Sequence, residues 1–262
     1  MQIARFPDLD LNYREDGDPV GRPVVFANSL GTDLRLWDDI LPHLPEGLRL
    51  IRYDKRGHGL SGCPKAPYSM GALVTDLERL LDLLEVRGAV VVGCSIGGMI
   101  AQGLAVKRLD QVRAIVLSNT AARIGTPAMW ADRIAAVEAG GIEALADSIM
   151  ERWFSRAFRA TPELAAWRNM LIRQTKSGYI GCSAAISGTD FYTTTATLTL
   201  PTLAIAGSED GSTPPDLVRE TAELIRGARF ELIRGAGHLP MVEKPAEYAA
   251  LLAGFLAEIG HS

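Results

Sequence analysis

The segment Gly93-Cys94-Ser95-Ile96-Gly97 decides how this chain is interpreted. A short run of mostly β-branched residues, Ala89-Val90-Val91-Val92, precedes it, and a longer apolar stretch, Met99 to Val106, follows it. This order predicts a buried strand, a sharp turn and a helix. Small residues around a serine permit a strained turn that holds the hydroxyl clear of the sheet, as in a nucleophile elbow. Ser95 is therefore the predicted nucleophile of a hydrolytic reaction.

A glycine-rich turn between a strand and a helix also fits a phosphate-binding loop. No Lys-Ser or Lys-Thr pair follows the glycines of this turn. The missing pair argues against the phosphate-binding interpretation.

The chain has a globular composition and is long enough for one large α/β domain with an inserted segment. The chain has 262 residues, of which 47% are hydrophobic and 22% charged. Its net charge is -4, and Lys and Arg do not cluster densely enough to follow a phosphate backbone, so we expect no nucleic-acid partner. We find no signal peptide and no apolar stretch of membrane-spanning length, and we therefore expect no membrane partner and a cytoplasmic location.

Cysteine usage gives no indication of a metal site or of disulfides. Cys63, Cys94 and Cys182 are odd in number and widely separated. They form no Cys-x-x-Cys motif and have no neighbouring histidine pattern typical of zinc binding. We interpret all three as free thiols.

Apolar, β-branched runs alternate with helical stretches along most of the chain, a pattern typical of a mostly parallel sheet with helices on both faces. The first two of eight predicted strands would form an antiparallel hairpin at one sheet edge. The predicted strands cover residues 2–6, 10–15, 24–27, 48–53, 89–92, 112–117, 202–206 and 230–233.

Residues 121–195, after the sixth predicted strand, are helical in character and rich in tryptophan and arginine. A helical insertion at this place would cover the carboxyl edge of the sheet, where open α/β sheets bind ligands. We therefore predict a helical cap at 121–195 and a core made of residues 1–120 and 196–262.

A serine hydroxyl needs a base within hydrogen-bond reach and a third group that orients this base. His238 follows the last predicted strand and is the predicted base. Asp210 follows the seventh strand and is preferred to Glu209 as the acid, because its shorter carboxylate lies deeper in the loop. The other candidate histidine, His58, is interpreted as a loop residue whose ring nitrogens satisfy backbone groups.

The tetrahedral intermediate needs two backbone N–H donors. The residue after the nucleophile, Ile96, would supply the first. The loop after the third strand would supply the second, with the Leu30 amide as the preferred donor. Side-chain donation by Asn28 or Ser29 remains an alternative.

Nearly the whole chain resembles the α/β-hydrolase superfamily in the elbow, in the loops of Asp210 and His238, and in the segment Tyr53 to Gly59. Three further segments resemble 3-oxoadipate enol-lactonases, and the Asn-Ser pair in the first of them stands where many superfamily members have His-Gly. These segments are Asn28-Ser29-Leu30-Gly31-Thr32-Asp33, Ser118-Asn119-Thr120-Ala121-Ala122-Arg123-Ile124-Gly125-Thr126 and Gly178-Tyr179-Ile180-Gly181-Cys182.

This resemblance implies an α/β-hydrolase fold and hydrolysis of 3-oxoadipate enol-lactone, in the β-ketoadipate pathway of aromatic catabolism, with no cofactor. The substrate would be a small anionic lactone, whose carboxylate is costly to bury without a partner. We predict that Arg133 binds it and that Trp130, three residues earlier on the same helical face, forms an aromatic wall. A solvated surface arginine is the alternative interpretation of Arg133.

Other functions use the same catalytic residues. A general carboxylesterase or a cofactor-free perhydrolase would differ in substrate only, and a ligand receptor on this fold would differ in turnover. Epoxide hydrolases and haloalkane dehalogenases are disfavoured, because they have an aspartate where this chain has Ser95. The oligomeric state is not predicted.

Overall fold

The computed structural model describes residues 2–262, so that Met1 of the predicted core lies outside the described residues. Eight strands form one sheet in the order β1-β2-β4-β3-β5-β6-β7-β8. The strands are β1 (Gln2–Phe6), β2 (Leu9–Gly17), β3 (Arg22–Ala27), β4 (Leu48–Tyr53), β5 (Ala89–Cys94), β6 (Val112–Ser118), β7 (Thr202–Gly207) and β8 (Arg229–Ile233). The predicted eight-stranded, mostly parallel sheet is confirmed.

Only the first two strands interrupt the parallel arrangement. β2 pairs antiparallel with β1 along its first half and antiparallel with β4 along its second half, and the other neighbours pair parallel. Because its two halves pair with different neighbours, β2 extends over Leu9–Gly17 and is longer than the predicted residues 10–15.

Ten α-helices connect and cover these strands within the described residues. They are α1 (Met70–Leu83), α2 (Ile96–Lys107), α3 (Pro127–Gly140), α4 (Ala146–Trp153), α5 (Leu164–Ile172), α6 (Lys176–Ser187), α7 (Tyr192–Thr195), α8 (Pro215–Glu223), α9 (Pro240–Glu243) and α10 (Pro245–Glu258). The helix expected around residues 34–41 is a 3₁₀ helix, Leu34–His43. Within residues 2–262, no helix is both long and apolar enough to cross a membrane.

The hydrophobic core lies on both faces of the central strands. Val90, Val91 and Val92 of β5 are all fully buried, although successive side chains of a strand point to opposite faces. Both faces of the sheet are therefore covered there, which explains the continuous apolar run in the sequence. Helix α2 packs against β3, β5 and β6, and α8 packs against β7.

Five of the helices, α3 to α7, lie between β6 and β7, together with two short 3₁₀ helices, Ile142–Leu145 and Phe158–Ala160. We refer to residues 121–195 as the helical insertion. The loops after β5, β7 and β8 all leave the carboxyl edge of the sheet, because these strands are parallel. The polar side chains of these loops can therefore meet at one place.

Candidate active site

Ser95 lies in the strained turn between β5 and α2. Its φ and ψ angles are 57° and -119°, in a region that residues other than glycine rarely adopt. The neighbouring glycines are sterically required: a Cβ atom on Gly93 would lie 2.2 Å from the Gly97 oxygen, and one on Gly97 would lie 2.0 Å from the Ala27 oxygen. The turn therefore has the sharp geometry that the sequence predicts.

Asp210 and His238, on the loops after β7 and β8, form a buried hydrogen-bonded pair. The distance from His238 Nδ1 to Asp210 Oδ2 is 2.8 Å. The same Asp210 oxygen accepts hydrogen bonds from Asn119 Nδ2 and from the Thr213 hydroxyl, while Oδ1 accepts from two backbone amides. Burial alone would raise the pKa of Asp210, but His238 and these donors outweigh burial and lower it. Asp210 is therefore ionised at neutral pH and fixes the orientation of the imidazole.

The side chains of Ser95 and His238 line one small cavity of about 100 Å³. Within residues 2–262, no hydrogen bond joins the Ser95 hydroxyl to His238. The Nε2 atom of His238 lies instead 3.3 Å from the hydroxyl oxygen of Ser29. The structure thus brings the three predicted residues together and shows the hydrogen bond between acid and base, while the contact between nucleophile and base is not formed.

Leu30 and Ile96 are both buried residues, and their backbone amides donate no hydrogen bond among the described residues. The next amide along the loop after β3, that of Gly31, donates to His58 Nε2 at 3.0 Å. Buried N–H groups are almost always paired, so two such groups beside a serine suggest a site for a negatively charged oxygen.

His58 is fully buried beneath this loop. Its Nδ1 atom lies 3.3 Å from the Arg56 carbonyl oxygen, and its Nε2 accepts from Gly31. Burial and the nearby Lys55 charge lower the pKa of His58 well below its usual value, so that the ring is neutral. The prediction of a loop histidine that satisfies backbone groups is confirmed.

Trp130 and Arg133, both on α3, line the same cavity as Ser95. Trp130 is buried and donates its indole N–H to the Ile124 carbonyl oxygen at 2.6 Å. The Arg133 guanidinium lies 5.0 Å from the centre of the Trp130 ring, within the range of a cation–π interaction. The Trp130 ring and the Arg133 guanidinium therefore lie side by side at the cavity.

Sequence reasoning did not single out Arg152, which lines the cavity from α4. Burial lowers the pKa of Arg152, and the positive charge of the neighbouring Arg133 lowers it further. Within the described part of the chain, neither arginine forms a salt bridge with a carboxylate. The cavity thus has two positive charges without a negative partner.

Asn119 was also not predicted as a site residue, although its position just after the end of a predicted strand could have indicated it. It directly follows β6 at the carboxyl edge of the sheet, has a φ of 48° and is fully buried. Asparagine tolerates this left-handed conformation better than most residues. Its side chain then reaches both Asp210 and the Gly237 carbonyl oxygen, so that it connects the loops of the acid and the base.

The end of α4 is attached to the same two loops through its backbone. The carbonyl oxygen of Arg152 accepts from Gly211 N at 3.0 Å, and that of Trp153 accepts from His238 N at 2.7 Å. The Trp153 ring also stacks on the His238 ring, with centroids 6.5 Å apart. The helical insertion therefore supports the position of the predicted base.

The match to a family model agrees with this geometry. Residues 24–251 match the model of the alpha/beta hydrolase family. The chain belongs to this family. It is therefore a hydrolase, and the sheet order and the loops described above are those of an α/β hydrolase.

Individual relatives of this hydrolase narrow the comparison. It is 32% identical to 3-oxoadipate enol-lactonase 2 of Acinetobacter baylyi over 92% of this chain and 91% of that protein. It is also 32% identical to 3-oxoadipate enol-lactonase 1 of the same organism, over 99% and 97% of the two chains. The crystal structure of the enol-lactonase from Burkholderia xenovorans LB400 superposes with a TM-score of 0.94 at 34% identity, covering 98% of this chain and 100% of that chain. The resemblance to enol-lactonases is confirmed.

Proposed function

We propose that this hydrolase opens 3-oxoadipate enol-lactone to 3-oxoadipate, with Ser95, His238 and Asp210 as catalytic triad and an acyl-enzyme intermediate. The observation that most supports an anionic lactone is the pair Arg133 and Arg152, two guanidinium groups without carboxylate partners in the cavity of Ser95. The enol-lactone has a carboxylate, which needs such a partner when it is removed from water. The names of the relatives in Acinetobacter and Burkholderia point to the same substrate.

In the first half of the reaction, Ser95 Oγ attacks the ring carbonyl carbon while His238 Nε2 removes the hydroxyl proton. The Leu30 and Ile96 amides donate hydrogen bonds to the oxyanion. Collapse of the tetrahedral intermediate breaks the bond between the carbonyl carbon and the ring oxygen, and His238 returns the proton to the enolate oxygen. The enol then becomes a ketone, so that the tethered leaving group no longer competes as a nucleophile.

In the second half, His238 removes a proton from a water molecule that attacks the ester carbonyl of the acyl-enzyme. The same two amides stabilise the second oxyanion. Collapse returns the proton to Ser95 and releases the product, whose new carboxylic acid then loses its proton to water to give the dicarboxylate. His238 and the Leu30 and Ile96 amides therefore act in both halves of the reaction, and Ser95 is regenerated at the end.

We further propose that residues 121–195 act as a cap over the core formed by residues 1–120 and 196–262. The cavity volume of about 100 Å³ favours a small substrate. Trp130 would form one wall of this cavity, and Arg133 and Arg152 would bind the carboxylate. With an intermediate of aromatic catabolism as substrate, the enzyme would act in the cytoplasm as part of the β-ketoadipate pathway.

Steady-state kinetics with the enol-lactone, a neutral lactone and an aryl ester test the proposal, with Ser95→Ala as the control variant. We expect the highest kcat/KM for the anionic lactone and no turnover by a folded Ser95→Ala variant. A preference for neutral esters would indicate a carboxylesterase, and peroxide-dependent reaction of a carboxylic acid would indicate a perhydrolase. A single slow turnover would favour a receptor, and retained turnover by Ser95→Ala would contradict the mechanism.

A further inference from the structure

Lys55 places a positive charge directly behind the proposed oxyanion site. It follows β4 by two residues, and its side chain is almost completely buried, with 2% of the residue exposed. Its Nζ atom donates to the Ser29 carbonyl oxygen at 2.6 Å and to the Thr32 carbonyl oxygen at 3.2 Å. Among residues 2–262, no carboxylate forms a salt bridge with it. Burial of an ammonium group that is bound only by carbonyl oxygens costs desolvation free energy, which indicates that its charge has a role at this position.

The carbonyl group that Lys55 contacts belongs to the same peptide unit as the Leu30 N–H. In a planar trans peptide, the C=O and N–H bonds point in opposite directions. A cation at the Ser29 oxygen therefore fixes the plane of this peptide with the Leu30 N–H directed away from Lys55. It also draws electron density toward the oxygen, which makes the N–H a stronger donor.

Other contacts hold the same loop without adding charge. The Thr32 hydroxyl donates to the Ser29 oxygen at 2.9 Å, and the Gly31 amide is occupied by neutral His58. Of the groups that contact this stretch of backbone, Lys55 alone among the described residues is a cation. The charge of Lys55 and the hydrogen bonds of Thr32 can therefore be separated by substitution.

We propose that Lys55 is a positioning residue for the oxyanion site: through the Ser29–Leu30 peptide, its positive charge orients and strengthens the Leu30 N–H donor. This inference rests on the proposed roles of Ser95 and Leu30. It adds to them an electrostatic contribution from a side chain that does not contact the substrate.

The surroundings of Lys55 make this contribution depend on pH. Burial lowers the pKa of Lys55 to about 8, while the carboxylates of Asp54, on its own loop, and Asp33, before the 3₁₀ helix, oppose this shift; Cys182 on α6 and Cys94 at the end of β5 also face Lys55. Burial raises the pKa of both cysteines, that of Cys182 to about 12, so that they are neutral thiols at this pH. Lys55 is thus protonated below about pH 8 and loses its charge above it.

Hydrolysis of 4-nitrophenyl acetate by the wild type and by Lys55→Met measures this effect. At about pH 7 we expect Lys55→Met to lower kcat roughly tenfold and to leave KM within about twofold, since the contribution is indirect and smaller than that of a whole oxyanion donor. At about pH 9.5 the two kcat values should converge, because the wild type has lost the same charge. The exposed Lys65→Met is the matched control and should follow the wild type at both pH values.

Thr32→Val removes a neutral hydrogen bond from the same carbonyl oxygen and tests whether charge is the cause. Its kcat should fall less than that of Lys55→Met, and the ratio to the wild type should not change with pH. If Lys55→Met lowers kcat by the same factor at about pH 7 and about pH 9.5, Lys55 acts through packing and the inference is wrong.

Thermal denaturation shows whether Lys55→Met is folded, and Lys55→Gln replaces it if it is not. The wild type alone must also show a roughly tenfold decline of kcat centred near pH 8. A wild-type kcat that stays flat or rises over this range overturns the inference. Hydrolysis that persists in Ser95→Ala would instead overturn the proposed function. The failure of the Lys55 inference and the failure of the proposed function can therefore be told apart with any ester that acylates Ser95.

Discussion

Asp210 and His238, on loops of the sheet edge, are buried and hydrogen-bonded to each other, whereas Arg133 and Arg152, in the helical insertion, are partly exposed and lack carboxylate partners. Asp210 and His238 satisfy each other's hydrogen bonds without a ligand, whereas Arg133 and Arg152 have no negative partner among the described residues. Under the proposed function, the sheet fixes the groups needed for every ester, while the insertion supplies the groups that select a charged one. Substitutions at the sheet edge should therefore change kcat, whereas substitutions in the helical insertion should change substrate preference.

The largest effect is expected at the acid of the sheet edge. Asp210→Asn keeps the shape of the side chain but removes the charge that orients and stabilises the protonated His238, so we expect kcat to fall by roughly 10⁴-fold. Glu209→Gln is the matched control, because Glu209 is exposed and its carboxylate accepts a hydrogen bond from Arg156 N. Steady-state kinetics check both variants. Full activity of Asp210→Asn together with loss of activity in Glu209→Gln would reverse the assignment.

A smaller and more selective effect is expected in the insertion. Arg133→Ala or Arg152→Ala removes a cation proposed to bind the carboxylate, so kcat/KM for the anionic lactone should fall roughly 10- to 100-fold. For a neutral aryl ester, kcat/KM should change by less than about threefold. Arg159→Ala, an exposed arginine of the same insertion, should change neither. Equal losses on both substrates would show that the arginines support the structure rather than bind the carboxylate.

The sequence predicts the sheet edge better than the helical insertion, because the residues of the sheet edge are marked by short segments of sequence, whereas those of the insertion depend on tertiary packing. The elbow of Ser95 and the loop of Asp210 follow fully buried strands, the loop of His238 follows the partly buried β8, and parallel pairing brings the ends of the three strands together. Arg152 could not be chosen from the sequence, because its place at the cavity depends on how α4 packs against the core. The burial of Lys55 likewise depends on packing between segments distant in sequence, and a charged loop residue is ordinarily exposed.

Asn119 tests whether the two loops of the sheet edge act as one unit. Asn119→Gly keeps the left-handed backbone without strain and removes only the side chain that connects Asp210 with Gly237. We expect kcat to fall roughly tenfold, the size of one charge-assisted hydrogen bond, with KM unchanged. Kinetics on the aryl ester measure this. A raised KM at constant kcat would mean that Asn119 shapes the cavity and does not orient the acid.

The smallest effect on turnover is expected at Glu243, where the sheet edge meets the insertion. Its carboxylate accepts hydrogen bonds from Gly237 N at 2.7 Å and from Ser155 N at 3.1 Å. Glu243→Ala leaves these amides without acceptors, so the free energy of unfolding should fall by about 1–3 kcal/mol, while kcat changes by less than about threefold. Urea denaturation and the aryl ester assay check the two expectations. A large loss of kcat without loss of stability would place Glu243 in the catalytic machinery.

The pH dependence of stability separates the charge of Glu243 from its hydrogen bonds. Burial raises its pKa above the usual 4.5, so the folded state holds the proton more tightly than the unfolded state. Glu243 should therefore lower the free energy of unfolding of the wild type as pH rises from 4.5 through the raised pKa, and this contribution should be absent from Glu243→Gln, in which residue 243 does not titrate. Urea denaturation at several pH values above 4.5 measures the difference. If both proteins show the same pH dependence in this range, the junction between sheet edge and insertion does not bury the charge of Glu243.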